Sequence, residues 1–261
     1  MTAGIALLLS AWIIFFELIR RSEAKIARKL LLSFSDQQII TGIGLQSVGL
    51  AKMETMIPYH FFLIWMLSSI STATHSAALL ALYHDFKRDW VLRWLREFLM
   101  FVNLALSCVS GVFVLKDITK QISPTLAIAC VWQETATTPR NDMTRSLAGT
   151  IAVIVGQCVV YAMAVWYLHS KSQRWLQITR AVSFVVLTAI GVGATVRVIS
   201  LSQAFGKPSV PLSDKGEKDW SFGQLLGLLL LLLPLMSAIE IYRGKLNPLP
   251  QSLGLRANIF R

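Results

Sequence analysis

The sequence predicts an all-α fold: one bundle of about seven transmembrane helices forming a single domain over residues 1–261, with the N-terminus outside or lumenal and the C-terminus cytosolic. Three observations predict it. Apolar residues make up 54% of the chain and charged residues only 15%, with a mean hydropathy of +0.58, whereas a soluble domain carries about a quarter charged residues. The apolar residues fall in blocks near the ~20 residues a helix needs to cross ~30 Å of hydrocarbon. The connections between blocks alternate in their content of Lys and Arg.

The first block, residues 3–19, has no basic stretch before it and no small-residue cleavage site after it, and Arg20 and Arg21 follow directly. This pattern predicts an uncleaved helix and not a signal peptide. The second, 34–57, is the most polar, with Gly42, Gly44, Gln46 and Gly49 inside it and Asp36 and Lys52 near its ends. Small residues allow close helix approach, so this span is expected inside the bundle. The third to sixth spans are expected over 59–83, 98–115, 147–168 and 178–199. The seventh, 222–241, carries a leucine run before Pro234, where a kink is expected. Within the long connection after span four, residues 126–132 read as a short interfacial or re-entrant segment. Residues 203–220, polar with Pro208 and Pro211, read as a solvated loop.

Orientation follows from the basic residues. Of the 25 Lys and Arg, sixteen fall in one alternate set of connections and the C-terminal tail, eight in the other set, and Arg197 lies inside span six. The richer set is placed in the cytosol. The net charge of +11 therefore reads as topology and contact with anionic lipid, with membrane lipid as partner and no nucleic acid. Cys108, Cys130 and Cys158 form no CxxC pair, so neither a metal site nor a disulfide framework is indicated, and they read as free core thiols. No internal repeat of the transporter kind and no nucleotide-binding glycine motif is present, and no cofactor is expected.

Ionisable and polar groups at membrane depth are candidates for function. Seven of the nine residues 68–76 are Ser, Thr or His. Ser68, Thr72 and His75, spaced four and three, share one helix face. His75 there serves either as a general base, proton relay or substrate hydrogen-bonder, or as a structural histidine held by a neighbouring helix. Asn103, Ser107 and Ser110 on span four, and Thr150, Gln157 and Tyr161 on span five, either bridge helices or line a cavity. Glu17, Glu97 and Glu240 lie at the cytosolic ends of spans one, four and seven, and Asp36 at the start of span two. Each is either a catalytic acid or an interfacial carboxylate paired with flanking arginines. Arg197, near the non-cytosolic end of span six, either holds an anionic ligand, pairs with Glu54 or with Asp214, Glu217 or Asp219, or snorkels to the interface.

Three stretches occur in order: Asp36-Gln37-Gln38-Ile39-Ile40-Thr41-Gly42; Tyr59-His60-Phe61 leading to the 68–76 stripe; and Trp220-Ser221-Phe222-Gly223-Gln224. Together they resemble a large family of multi-pass membrane proteins of filamentous fungi, over roughly residues 35–240. Some members are encoded beside secondary-metabolite genes, so the resemblance implies a role in that metabolism. Membrane-bound terpene cyclases of fungal meroterpenoid pathways share the size and apolar character, but their acidic motifs do not match residue by residue, and likeness of architecture does not fix function.

Three functions fit these residues. The first is a membrane-embedded cyclase or isomerase of a lipophilic, prenylated intermediate. Glu17, Asp36, Glu97 or Glu240 would act as acid and His75 as final proton acceptor, with Ser68, Thr72, Asn103, Gln157, Tyr161 and Arg197 contacting the substrate. The second is a seven-helix receptor-like sensor. The third is a transporter, or a scaffold for partner enzymes of a biosynthetic pathway. The endoplasmic reticulum or another endomembrane is the expected location, with the plasma membrane as the alternative.

Overall fold

A computed structural model describes residues 2–19, 25–83, 86, 90–120, 123, 125–133, 143–169 and 175–202. The expected seventh span and the loop before it lie outside the described residues. Among the described residues there are six long helices: α1 (Thr2–Ile19), α2 (Lys25–Ala51), α3 (Pro58–Ala81), α4 (Trp90–Lys120), α5 (Met143–His169) and α6 (Trp175–Leu201), with a short 3-10 helix at Ile128–Trp132. No strand occurs among the described residues. Four helices are long and apolar enough to cross a membrane, over Pro58–Ala81, Arg93–Lys120, Leu147–His169 and Ile178–Leu201. The apolar stretch of α1 is shorter, Thr2–Phe16. The chain is thus an all-helical bundle with the character of an integral membrane protein.

The second span expected over 34–57 is displaced in the structure. Its helix starts earlier, at Lys25, and stops at Ala51, and a turn follows in which the Thr55 and Met56 amides donate to the Lys52 carbonyl. Pro58 explains the break. It fixes the first turn of α3 without needing its missing N–H, and Ile57 before it is extended (φ −72°, ψ 152°). Nor is α2 enclosed. Gln46 is fully buried, but Ile40 and Val48 are exposed on the opposite flank.

The enclosed helix is α3. Within its most apolar stretch 83% of residues are buried, against 39% for α4, 28% for α5 and 22% for α6. The seven polar residues of the 68–76 stripe are all at most 2% exposed. The outer faces instead carry Phe98 and Phe101 on α4, Val155 and Val159 on α5, and Val182, Val185, Val192 and Val196 on α6. This is the inverse of a soluble bundle. Lipid tails solvate valine as well as a protein core does, whereas an unpaired hydroxyl or amide in hydrocarbon is costly, so the polar groups turn inward.

Contacts along the helices fix their directions. Tyr59 OH donates to the Leu201 carbonyl (3.0 Å) at one end, and Arg180 Nη2 to the Ala81 carbonyl (3.2 Å) at the other, so α3 and α6 run antiparallel over their whole length. The α4 and α5 helices are also antiparallel, with Tyr161 opposite Glu97 and Gln157 opposite Ser107. Gln38 Nε2 donates to Thr2 Oγ1 (2.7 Å), while Ser71 donates to the Gln38 carbonyl. A Cβ on Gly191 would meet both Leu7 Cδ1 (3.3 Å) and Ala73 Cβ (3.6 Å). The α1 helix therefore begins beside the middle of α3 and runs parallel to its second half.

The expected interfacial segment at 126–132 becomes a cap. The Ile128 and Ala129 amides donate to the Met56 (2.8 Å) and Met53 (3.1 Å) carbonyls, pinning it to the α2–α3 turn. Ile128 and Val131 are buried, and Trp132 stands edge-on to Phe113, with Lys116 Nζ 5.2 Å from its ring centroid.

Candidate functional site

Two polar assemblies occupy the interior. The deeper joins α2, α3 and α4 through Asn103, which is fully buried. Gln46 Nε2 donates to both the Asn103 carbonyl and Asn103 Oδ1, each at 3.1 Å. Asn103 Nδ2 in turn lies 3.0 Å from Thr72 Oγ1 and 3.0 Å from His75 Nε2. With Oδ1 accepting from Gln46, Nδ2 must donate to both, so His75 Nε2 is an acceptor and the neutral ring carries its proton on Nδ1. Thr72 Oγ1 donates its own hydrogen bond to the Ser68 carbonyl (3.1 Å). Ser110 closes the far side by donating to Gln46 Oε1 (3.5 Å).

A second strand of the same assembly reaches α5. Gln157 Nε2 donates to the Ser69 carbonyl (3.2 Å), Gln157 Oε1 accepts from Ser107 Oγ (3.4 Å), and Trp65 Nε1 donates to the Ser107 carbonyl (3.0 Å). Of the residues expected in the site, Ser68, Thr72, His75, Asn103 and Gln157 are thus brought together at the centre. Their amide and ring groups are largely spent on one another. The exceptions are His75 Nδ1 and Ser68 Oγ, buried without a hydrogen-bond partner.

Close approach of the backbones makes this possible. A methyl group on Gly42 of α2 would stand 2.6 Å from Ser71 Oγ and 2.7 Å from Asn103 Oδ1. Glycine leaves that volume to the hydrogen-bonding side chains.

The other assembly lies at the end where α4 begins. Glu97 is 5% exposed on a helix that is long and apolar enough to cross a membrane from Arg93 onward. One carboxylate oxygen, Oε2, stands 3.9 Å from His169 Nε2, and the other, Oε1, is buried without a hydrogen-bond partner. Tyr161 OH donates to the Glu97 carbonyl (3.0 Å). The His169 ring is anchored by Nδ1 against the Val165 carbonyl (3.0 Å) and packs beside Trp94. The Tyr83 and Tyr167 rings, 4.4 Å apart, belong to the apolar cluster that also holds Met100 and contacts Tyr161. His169 escaped the sequence reading because it falls where span five ends, among residues that usually anchor a helix at the interface. Its signal was the antiparallel register that sets it opposite Glu97.

The remaining candidates divide. Asp36 forms a two-point ion pair with Arg96, both bonds at 2.8 Å, and the Arg96 guanidinium also lies 5.4 Å from the Phe86 ring centroid. This carboxylate is committed to structure. Arg197 is exposed on α6 and pairs with neither Glu54 nor any other described residue, while Asp214, Glu217 and Asp219 lie outside the described residues. The side chain of Glu17 and the whole of Glu240 lie outside them too. Among the described residues no group of three or more His, Cys, Asp or Glu is placed to hold a metal ion.

The fold and the two assemblies define the class: a helical membrane bundle with a lipid-compatible exterior and a hydrogen-bonded interior. No family model, curated protein or solved structure matches the chain.

Proposed function

We propose that this protein is a multi-pass endomembrane protein of fungal secondary metabolism, within the family its motifs resemble, and that it acts as a cyclase or isomerase of a lipophilic intermediate. Glu97 carries the reading. It is a buried carboxyl at membrane depth with one oxygen unmatched by any hydrogen-bond donor and a histidine beside the other. In an acid-started cyclisation Glu97 gives its proton to an epoxide oxygen or an alkene of the substrate. The carbocation so formed is captured by an internal π bond or hydroxyl. The proton lost in the last step goes to His169 and returns to Glu97, so the net reaction is an isomerisation. The Tyr83 and Tyr167 rings offer π faces to the developing charge. His75 fits less well as the final acceptor, because its Nε2 is engaged by Asn103 and its Nδ1 bears the proton. It serves better as a hydrogen-bond donor to the ligand. The seventh crossing at 222–241 and the N-out, C-in orientation belong to the same proposal.

The test is turnover of a prenylated phenol epoxide by microsomes containing the chain, followed by mass spectrometry. Cyclised product from the wild type and from Asp36→Asn, with its loss in Glu97→Gln, is the expected result. Product formation undiminished in Glu97→Gln would sink the assignment.

A further inference from the structure

Cys108 on α4 and Cys158 on α5 face each other across the seam between these helices, with their sulfurs 3.5 Å apart. The antiparallel register of α4 and α5 sets the pair opposite each other. The preceding residues, Ser107 and Gln157, are hydrogen-bonded to each other. One turn further along, a Cβ on Gly111 would come within 2.6 Å of Ile154 Cδ1. The two helices therefore pack tightly along this seam; a disulfide holds its Cα atoms about 4.4–6.8 Å apart and its sulfurs about 2.04 Å apart. The thiols need close by only about 1.5 Å to reach that bond length. Both are half-buried, on the flank where Val109, Val155 and Val159 are exposed. That flank belongs to the lipid-facing exterior.

We propose that Cys108 and Cys158 are a modification site, joined into an inter-helix disulfide by lipid peroxyl radicals of the surrounding bilayer. The location selects the oxidant. Two-electron attack on a peroxide needs a thiolate, and a charge at membrane depth is costly. Hydrogen-atom transfer needs no charge. Each S–H bond breaks and each hydrogen atom passes to one peroxyl radical, giving two lipid hydroperoxides. The two thiyl radicals then pair their electrons in the S–S bond. Each sulfur is oxidised by one electron and each peroxyl reduced by one. The product staples α4 to α5 three residues from Tyr161, holding the seam on which Glu97 and His169 stand. Cys130 takes no part, since it lies in the 128–132 cap at the end of α4.

The experiment uses the full chain carrying Cys130→Ser in vesicles of polyunsaturated phospholipid, exposed to a lipid-soluble azo initiator. The protein is then denatured, alkylated, digested and analysed by mass spectrometry. The expected result is a peptide pair linked through Cys108 and Cys158, lighter by two hydrogen atoms. It grows with initiator, disappears on reduction, and is absent in vesicles of saturated phospholipid. Cys108→Ala and Cys158→Ala, one at a time, should each abolish it. Both thiols remaining fully alkylatable would overturn the proposal. So would a link found only between chains, or one formed equally in saturated lipid.

Discussion

The centre of the bundle and the first turns of α4 both bury polar groups, but they use them differently. At the centre, Asn103 engages both side-chain amide atoms with Gln46, Thr72 and His75, and Gln157 bridges Ser69 of α3 and Ser107 of α4. Such a network holds helices in one arrangement and has few groups left over for a ligand. Near the start of α4, Glu97 keeps one oxygen unmatched, and its neighbour His169 is at 3.9 Å, beyond a hydrogen bond. An assembly with open valence is the place to look for chemistry, and a closed one is the place to look for stability.

That division can be broken by mutation. The largest expected effect is on Glu97→Gln, which removes the proton donor while keeping the shape. Product formation should fall about 10²–10⁴-fold, while the midpoint of unfolding in detergent moves little. Asn103→Leu should do the reverse in kind. It strips Gln46 of an acceptor and Thr72 and His75 of a donor, and should cost about 2–4 kcal/mol of stability, each orphaned group contributing about 1–3 in water and less in lipid. If Asn103→Leu unfolds like the wild type, the closed network is not what holds α2, α3 and α4 together. Gly42→Ala drives a methyl group into Ser71 and Asn103 and should cost about 1–3 kcal/mol by the same unfolding measurement. A double-mutant cycle on Asp36→Asn and Arg96→Gln should return a coupling of about 1 kcal/mol, since the pair is two-pointed but partly exposed. Val185→Ala, on the outward face of α6, should fall within about 0.5 kcal/mol of the wild type.

Much of this was legible in the sequence because hydropathy and small-residue content act locally. The stripe from Ser68 to Ser76 had to face protein or water and is buried in protein, yet the enclosed helix is α3 and not the glycine-bearing second span expected inside the bundle. Asn103 and Gln157, polar groups amid apolar residues, had to turn inward. Which partner each would choose was not legible. Gln46 finding Asn103, or Arg96 reaching Asp36 sixty residues away, depends on the packing of three helices at once. The same holds for length. Span four was expected from 98, whereas α4 begins at Trp90, with Arg96 paired to Asp36 and Glu97 buried beside His169. Cys108 and Cys158 read singly as core thiols, and only the antiparallel register makes them a pair.

The central position of α3 has a consequence for how this protein can vary. A helix touched on one side tolerates change with a rhythm of about 3.6 residues, and α6, mostly bare toward lipid, should show that rhythm under saturation mutagenesis. On α3 every direction around the axis is read by a different neighbour, from Gln38 to Asn103 to Gly191. Its tolerance profile should be flat and low from Ser68 to Ala81, with no free face on which substitutions could accumulate.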